Sequence, residues 1–255
     1  MKLLEVLSAN KREMISLIGA GGKTTTMYAL ARSLREQEKT VAVSTTTFIF
    51  YPEKNQVNRF FIEGDQEKLQ RILSQQRHSN EIIGFGKHIV PLGYKVKGID
   101  GKEMDQIYMA KYFDYMIVEA DGAKRKPLKA PAAYEPVIPT LSTIVLVVIG
   151  IDACGALLNE ENVHRSHIVS RITQIPVGNV LTSDAIATLV TDPDGCMKGI
   201  PLGTRIFLLI NKVNGQESYR WAKQIACKVR KKDKGSIEKI LLCDMLGEEQ
   251  VLAIY

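Results

Sequence analysis

The chain has 255 residues, of which 45% are hydrophobic and 24% charged, with a net charge of +6 and a pI near 9.0. That balance supports a packed core and excludes a disordered or fibrous chain. No apolar run approaches the roughly 20 residues needed to cross a bilayer, and Glu5 and Asn10 interrupt the stretch a signal peptide would keep apolar, so a cytoplasmic protein without membrane contact is expected.

From the N-terminus, the apolar run 14–19 ends in glycine and predicts a buried strand. Residues 23–36 carry Met27, Leu30, Ala31 and Leu34 at helical spacing, and the β-branched run 40–45 predicts a second strand. Strand, crossover helix and strand imply a right-handed unit with parallel strands. Short strands are expected at 59–62 and 81–85 around a helix near 66–73, and the polar segment 88–101, punctuated by glycine and proline, reads as a mobile loop. The runs 115–119, 143–149 and 205–211 are continuously apolar, which suits strands covered on both faces. A helix-like stretch at 218–229 leads into the basic run Lys228-Val229-Arg230-Lys231-Lys232-Asp233-Lys234. Cations are favoured at a helix C-terminus, and no aromatic residues are interleaved for base stacking. A solvated helix end is therefore expected there, not a nucleic-acid partner. An open, mostly parallel three-layer sheet fits this order of elements.

Four cysteines, Cys154, Cys196, Cys227 and Cys243, form no Cys-x-x-Cys pair and read as reduced thiols. Cys154 stands out only for its place in a glycine-bearing turn after a strand. His164 and His167 are three apart, but no further metal ligands accompany them, so ordinary hydrogen-bonded or surface histidines are expected.

The chemistry concentrates at Gly19-Ala20-Gly21-Gly22-Lys23-Thr24-Thr25. Glycines here let the backbone turn tightly with its amides facing one anion, and the following helix adds its N-terminal dipole. Lys23 is placed for β- and γ-phosphates, and the Thr24 hydroxyl for Mg²⁺. The common Gly-x-x-x-x-Gly-Lys-[Ser/Thr] loop would need glycine at 17, where Leu17 stands. The loop is thus shorter and resembles the Gly-Thr-x-Gly-Lys-Thr-Thr loop of Mur ligases and folylpolyglutamate synthases. These features predict a three-layer P-loop NTPase-like α/β fold with a mostly parallel central sheet. We read 1–255 as one such domain, with a small subregion at about 50–112.

Two carboxylates, Glu119 and Asp121, end the strand at 115–119 and share a face. Glu119 is expected to hold Mg²⁺ together with Thr24, and Asp121 to orient the attacking group, so Lys23, Glu119 and Asp121 form the candidate catalytic set. Thr46, in the run Ser44-Thr45-Thr46-Thr47, and Lys124 and Lys129 are candidate substrate or phosphate contacts. Further on, Asn211-Lys212-Val213-Asn214 resembles the Asn-Lys-x-Asp motif of GTPases, making Asn211 and Lys212 candidate base contacts. Asn214 replaces the guanine-reading Asp, so ATP and GTP are expected to bind within about tenfold of each other.

With these stretches, Glu119-Ala120-Asp121-Gly122-Ala123-Lys124, Pro127-Leu128-Lys129-Ala130-Pro131, Tyr134-Glu135-Pro136-Val137-Ile138-Pro139, Gly150-Ile151-Asp152 and Val163-His164-Arg165, the chain resembles the YqeC family. The resemblance implies an accessory role in maturing a selenium-dependent molybdenum hydroxylase or its cofactor, with such a hydroxylase as partner. The expected function is a Mg²⁺-dependent NTPase, using ATP or GTP, in that maturation. Two rivals are a Mur-ligase-like or kinase-like enzyme activating a small substrate, and a carrier switched by nucleotide without hydrolysis.

Overall fold

A computed structural model of the chain describes residues 1–91, 94–247 and 249–255. Helix α1 (Leu3–Leu7) precedes strand β1 (Glu13–Gly19), which feeds α2 (Lys23–Glu36) and then β2 (Val41–Thr45). There follow β3 (Phe48–Phe50), β4 (Arg59–Ile62), α3 (Gln66–Ser74), β5 (Ile82–Gly86), β6 (His88–Val90), β7 (Lys95–Lys97), α4 (Gly101–Met109), β8 (Tyr115–Glu119) and β9 (Leu128–Lys129). The second half holds β10 (Ile144–Gly150), a 3-10 turn at Ile151–Ala153, β11 (Val163–His164), α5 (Ser166–Thr173), α6 (Ser183–Thr191), β12 (Arg205–Asn211), α7 (Gln216–Lys232), β13 (Ile237–Cys243) and β14 (Val251–Ile254).

Among the described residues the central sheet has nine strands in the order β14-β13-β12-β10-β1-β8-β2-β5-β4. All neighbours pair in parallel except β14, which runs antiparallel to β13. The chain lays down β2 and β5 on one side of β1, then crosses to place β10, β12 and β13 on the other. Such a reversal opens a crevice at the carboxyl ends of the strands, the usual ligand position in an open α/β sheet. The β1–α2 turn sits there.

Alternation along the strands explains the layers. On β10, Ile144, Leu146 and Val148 face one side and Val145, Val147 and Ile149 the other, and all six are buried. The first face packs under α1 and α2 through Leu3, Leu7, Met27, Leu30 and Leu34. The second packs under α6 and α7 through Ile186, Val190, Ile225 and Val229. Farther along that second side, α3 and α4 cover β2, β5 and β8 with Leu69, Leu73, Met104 and Ile107. This is a three-layer α/β fold with a mostly parallel central sheet, as the runs without polar alternation imply.

The expected loop at 88–101 is corrected. Residues 88–90 and 95–97 form antiparallel strands, and β3 joins them in a second sheet of order β3-β7-β6; Leu92 and Gly93 lie outside the described residues. Val96 is fully buried beside Ile49, while Lys95 and Lys97 point outward opposite Phe50 and Phe48. A Lys-Val-Lys triplet carries too little apolar periodicity to register as a strand alone; its pairing with β3 supplies the missing burial. Gly98 is there for contact: a Cβ would come within 1.9 Å of the Thr45 carbonyl oxygen.

Candidate functional site

Gly19, at the end of β1, adopts φ +91°, and a Cβ there would lie 2.3 Å from the Val148 carbonyl oxygen. Gly22, the residue before α2, has φ +128°, and a Cβ would collide with the Asn211 side-chain amide at 2.3 Å. Both positions combine a left-handed backbone with a close neighbour, so only glycine fits.

The loop amides divide into two groups. Gly19 N–H donates to Asp121 Oδ2 at 3.0 Å, Ala20 N–H to the Val148 carbonyl at 2.8 Å, and Gly21 N–H to the Lys126 carbonyl at 3.0 Å. These three are committed to the sheet and the β8–β9 connection, which corrects the expectation that every amide of 19–25 faces an anion. Hydrogen bonding in α2 begins with Thr26 N–H on the Gly22 carbonyl at 2.9 Å. The amides of Gly22, Lys23, Thr24 and Thr25 are therefore the unpaired donors that any helix start leaves, concentrated at the positive end of the helix dipole.

Lys23 is buried. Its ammonium donates to the Gly19 carbonyl at 2.6 Å and lies 3.0 Å from Asp121 Oδ1 and 3.7 Å from Glu119 Oε1. Burial alone would lower the ammonium pKa, but Asp121 and then Glu119 outweigh it and hold Lys23 charged above its ordinary value. Burial also pushes the Glu119 carboxyl upward, and Lys23 and the Thr24 hydroxyl offset only part of that. Thr24 Oγ1 donates to Glu119 Oε2 at 2.7 Å. Two hard oxygen donors thus sit side by side at the mouth of the turn. That set fits Mg²⁺, which takes one or two protein oxygens and leaves its other positions to water and phosphate.

Asp121 is not poised on open space. Its Oδ2 also receives Lys129 Nζ at 3.0 Å. Lys129, 2% exposed, donates further to the Gly122 carbonyl at 2.7 Å and to Glu135 at 2.6 Å, and Arg165 clamps Glu135 from the other side at 2.6 and 3.1 Å. Burial would raise the Glu135 carboxyl, yet Arg165 and Lys129 together hold it below its ordinary range. An alternating chain of charges, Lys23–Asp121–Lys129–Glu135–Arg165, so runs from the loop to the exposed ring of Tyr134, over which Arg165 lies. Lys129 is a buried strut and not the substrate contact expected of it.

The remaining candidates divide. Thr46 Oγ1 donates to the Val137 carbonyl at 2.7 Å, and Thr45, fully buried, donates to the Glu119 carbonyl at 2.7 Å. The threonine run thus fastens β2 to the chain around Glu119, which corrects the reading of Thr46 as a substrate contact. Lys124 and Arg125 both adopt left-handed backbone, φ +48° and +61°, and Arg125 lies over the ring of Phe50. Asn211 is buried, with both ends of its amide consumed: Nδ2 donates to the Gly21 carbonyl at 2.8 Å and Oδ1 accepts from Met245 N–H at 3.1 Å. Asn211 is thus a tie between the β1–α2 turn and the β13–β14 loop, and its second Nδ2 hydrogen takes part in neither bond. Lys212 reaches Asp152 at 2.6 Å on the surface.

Sequence reading assigned no role to Glu135 or Arg165, although both lie in the stretches that carry the family resemblance. Nor does it mark Tyr28, whose buried hydroxyl has no partner among the described residues and is pushed up by burial and by Glu119. The basic run, which forms the last turn of α7, is in part structural, since Arg230 donates to the carbonyls of Ile237, Glu238 and Tyr255. The four cysteines are free, and only Cys227 is exposed.

Fold and site together define a P-loop NTPase-like α/β protein: a glycine turn after the central strand, a lysine and threonine opening the next helix, and carboxylates closing the neighbouring strand. Residues 15–167 match the family model described as YqeC protein. The "uncharacterized protein YqeC" of Escherichia coli (strain K12) is 32% identical over 214 residues, covering 83% of this chain and 81% of that protein. The chain belongs to the YqeC family. Among solved structures it is similar to chloroplast FtsY from Physcomitrella patens, with TM-score 0.46 and 12% identity over 97% of this chain. It is also similar to the signal recognition particle receptor FtsY from Elizabethkingia anophelis, with TM-score 0.41 and 10% identity over 96% of the chain. The chain spans 64% and 62% of the length of those two proteins.

Proposed function

We propose that the protein binds a nucleoside triphosphate with Mg²⁺ at the β1–α2 turn. The observation that carries this reading is the convergence of the Gly22–Thr25 amides, the Lys23 ammonium and the Thr24–Glu119 oxygen pair on one mouth. The amides take the bound phosphates, and Lys23 turns from the Gly19 carbonyl to an anionic oxygen, a partner of greater charge. Thr24 and Glu119 hold Mg²⁺, which when bound neutralises charge on the phosphate oxygens. Asp121, fixed by Gly19 N–H and Lys129, positions Lys23.

In this reading the nucleotide drives maturation of a selenium-dependent molybdenum hydroxylase or its cofactor, a role supported by membership of the YqeC family. The buried chain from Lys23 to Arg165 favours a second reading, a carrier switched by nucleotide. A phosphate that draws Lys23 away from Asp121 removes one link of that chain, and its effect would surface at Arg165 and Tyr134. Calorimetry with Mg-ATP and Mg-GTP, alongside turnover assays, tests both. Binding that depends on Lys23 together with measurable phosphate release supports the NTPase; the same binding without release supports the carrier. Absence of nucleotide binding at millimolar concentrations sinks both.

A further inference from the structure

The β12–β13 side of the same sheet edge carries a cleft that the phosphate chemistry leaves unused. It has a volume of about 540 Å³ and is lined by Val213, Asn214, Gln216, Tyr219, Asp244 and Leu252 among others. Most of its wall is apolar, as a flat aromatic ring requires. Asn211 fixes its position relative to the phosphate turn, bonding the Gly21 carbonyl with one end of its amide and Met245 N–H, next to Asp244, with the other. The two sites are thus joined through one buried side chain.

Two carboxylates line this cleft, the exposed Glu249 and the half-buried Asp244, and the turn geometry singles out Asp244. Its backbone is closed into a turn, with its N–H on the Gln250 carbonyl at 3.1 Å and its own carbonyl accepting from Gly247 N–H at 3.1 Å. Its Oδ1 accepts from Leu246 N–H at 3.3 Å, which sets the direction of the carboxylate. Oδ2 accepts no hydrogen bond among the described residues, and Asn214, exposed on the facing wall, adds a carbonyl acceptor.

We infer that this cleft seats a guanine base and that Asp244 reads it, in place of the carboxylate missing at Asn214; the inference rests on the nucleotide reading above. Guanine presents two adjacent donors, the ring N1–H and the exocyclic amino group, which a carboxylate accepts together. Adenine presents a lone pair at ring N1, which a carboxylate repels, so a carboxylate that selects guanine rejects adenine. The expectation of near-equal ATP and GTP binding, drawn from Asn214 alone, is thereby replaced.

The test measures Mg-ATP, Mg-GTP and Mg-XTP binding to the full chain and to Asp244→Asn, which keeps the acceptor for Leu246 N–H. Wild type should bind GTP more than about tenfold tighter than ATP. Asp244→Asn should lose that preference, gain affinity for XTP, whose 2-oxo group accepts where the guanine amino group donates, and bind ATP no more weakly than wild type, since the repulsion of adenine N1 is relieved. Equal ATP and GTP affinities in wild type, or a variant whose GTP affinity is intact, would overturn the base assignment while leaving the phosphate site standing. Failure of all three nucleotides to bind wild type would remove the phosphate site and this inference together.

Discussion

The two ends of the proposed nucleotide site are built on opposite physical plans. Around β1 and β8 the charges are answered one by another, from the buried Lys23, Asp121 and Lys129 to the half-buried Glu135 and Arg165. Around β12 and β13 the wall is largely apolar and open, and Asp244, Glu249, Asn214 and Gln216 are its side-chain acceptors. Phosphate carries charge that buried ions and helix amides can match at large energetic gain, whereas a base is recognised by shape and a few donors or acceptors. The difference teaches that affinity should reside at the first end and selectivity at the second.

Several substitutions can break that contrast, and the largest effect is expected from Lys129→Ala. Removing the cation leaves the buried Asp121 with Lys23 as its one cation and the half-buried Glu135 with Arg165, and breaking a buried ion pair in this way costs about 3–5 kcal/mol. Urea denaturation should show that loss; a change below about 1 kcal/mol would mean that the charge chain does not hold the β8–β9 connection. Lys23→Ala should act on binding, costing about 1.5–3 kcal/mol of triphosphate affinity, the worth of a charge-assisted hydrogen bond, while the circular dichroism stays native. Unchanged affinity in a folded variant would refute the phosphate assignment.

Glu119→Gln sharpens the picture differently. It keeps the acceptor for the Thr24 hydroxyl but removes the charge, so Mg²⁺-dependent binding or turnover should fall by more than metal-free binding. Equal losses with and without Mg²⁺ would show that Glu119 acts on the fold alone. A smaller effect is expected from pH. Burial, with help from Arg165, Lys129 and Lys124, pushes the His164 imidazole down to about 4 from an ordinary 6.5. The unfolded chain therefore takes up the proton first, so stability is lost as pH falls from about 6.5 towards 4. Replacing His164 with Asn should flatten that part of the stability curve, and identical curves would place the acid sensitivity elsewhere. The smallest change is expected from Asp152→Ala, which breaks an exposed pair with Lys212; about 0–1 kcal/mol of stability is at stake, and a larger loss would mark Lys212 as more than a surface cation.

The sequence by itself determined a good deal. The helix at 23–36 and the strands at 59–62, 115–119 and 205–211 stand where periodicity and apolar runs place them, because both signals arise within single elements and survive any tertiary context. The glycine turn that opens α2 at Lys23 and Thr24 was legible for the same reason: a strand–turn–helix junction is a local device. Tertiary structure decided what depends on partners distant in sequence. Lys129 reads as a candidate substrate or phosphate contact until Asp121 and Glu135 close around it, and nothing local to Asn211 announces its ties to Gly21 and Met245. Residues 95–97 become a strand only when β3 pairs with them. Asp244, thirty-three residues after Asn211, carries no motif at all; it enters the cleft because parallel pairing of β12 with β13 delivers both loop ends to one edge of the sheet. Local propensity is written residue by residue, while charge pairing and cleft walls are settled by which strands become neighbours.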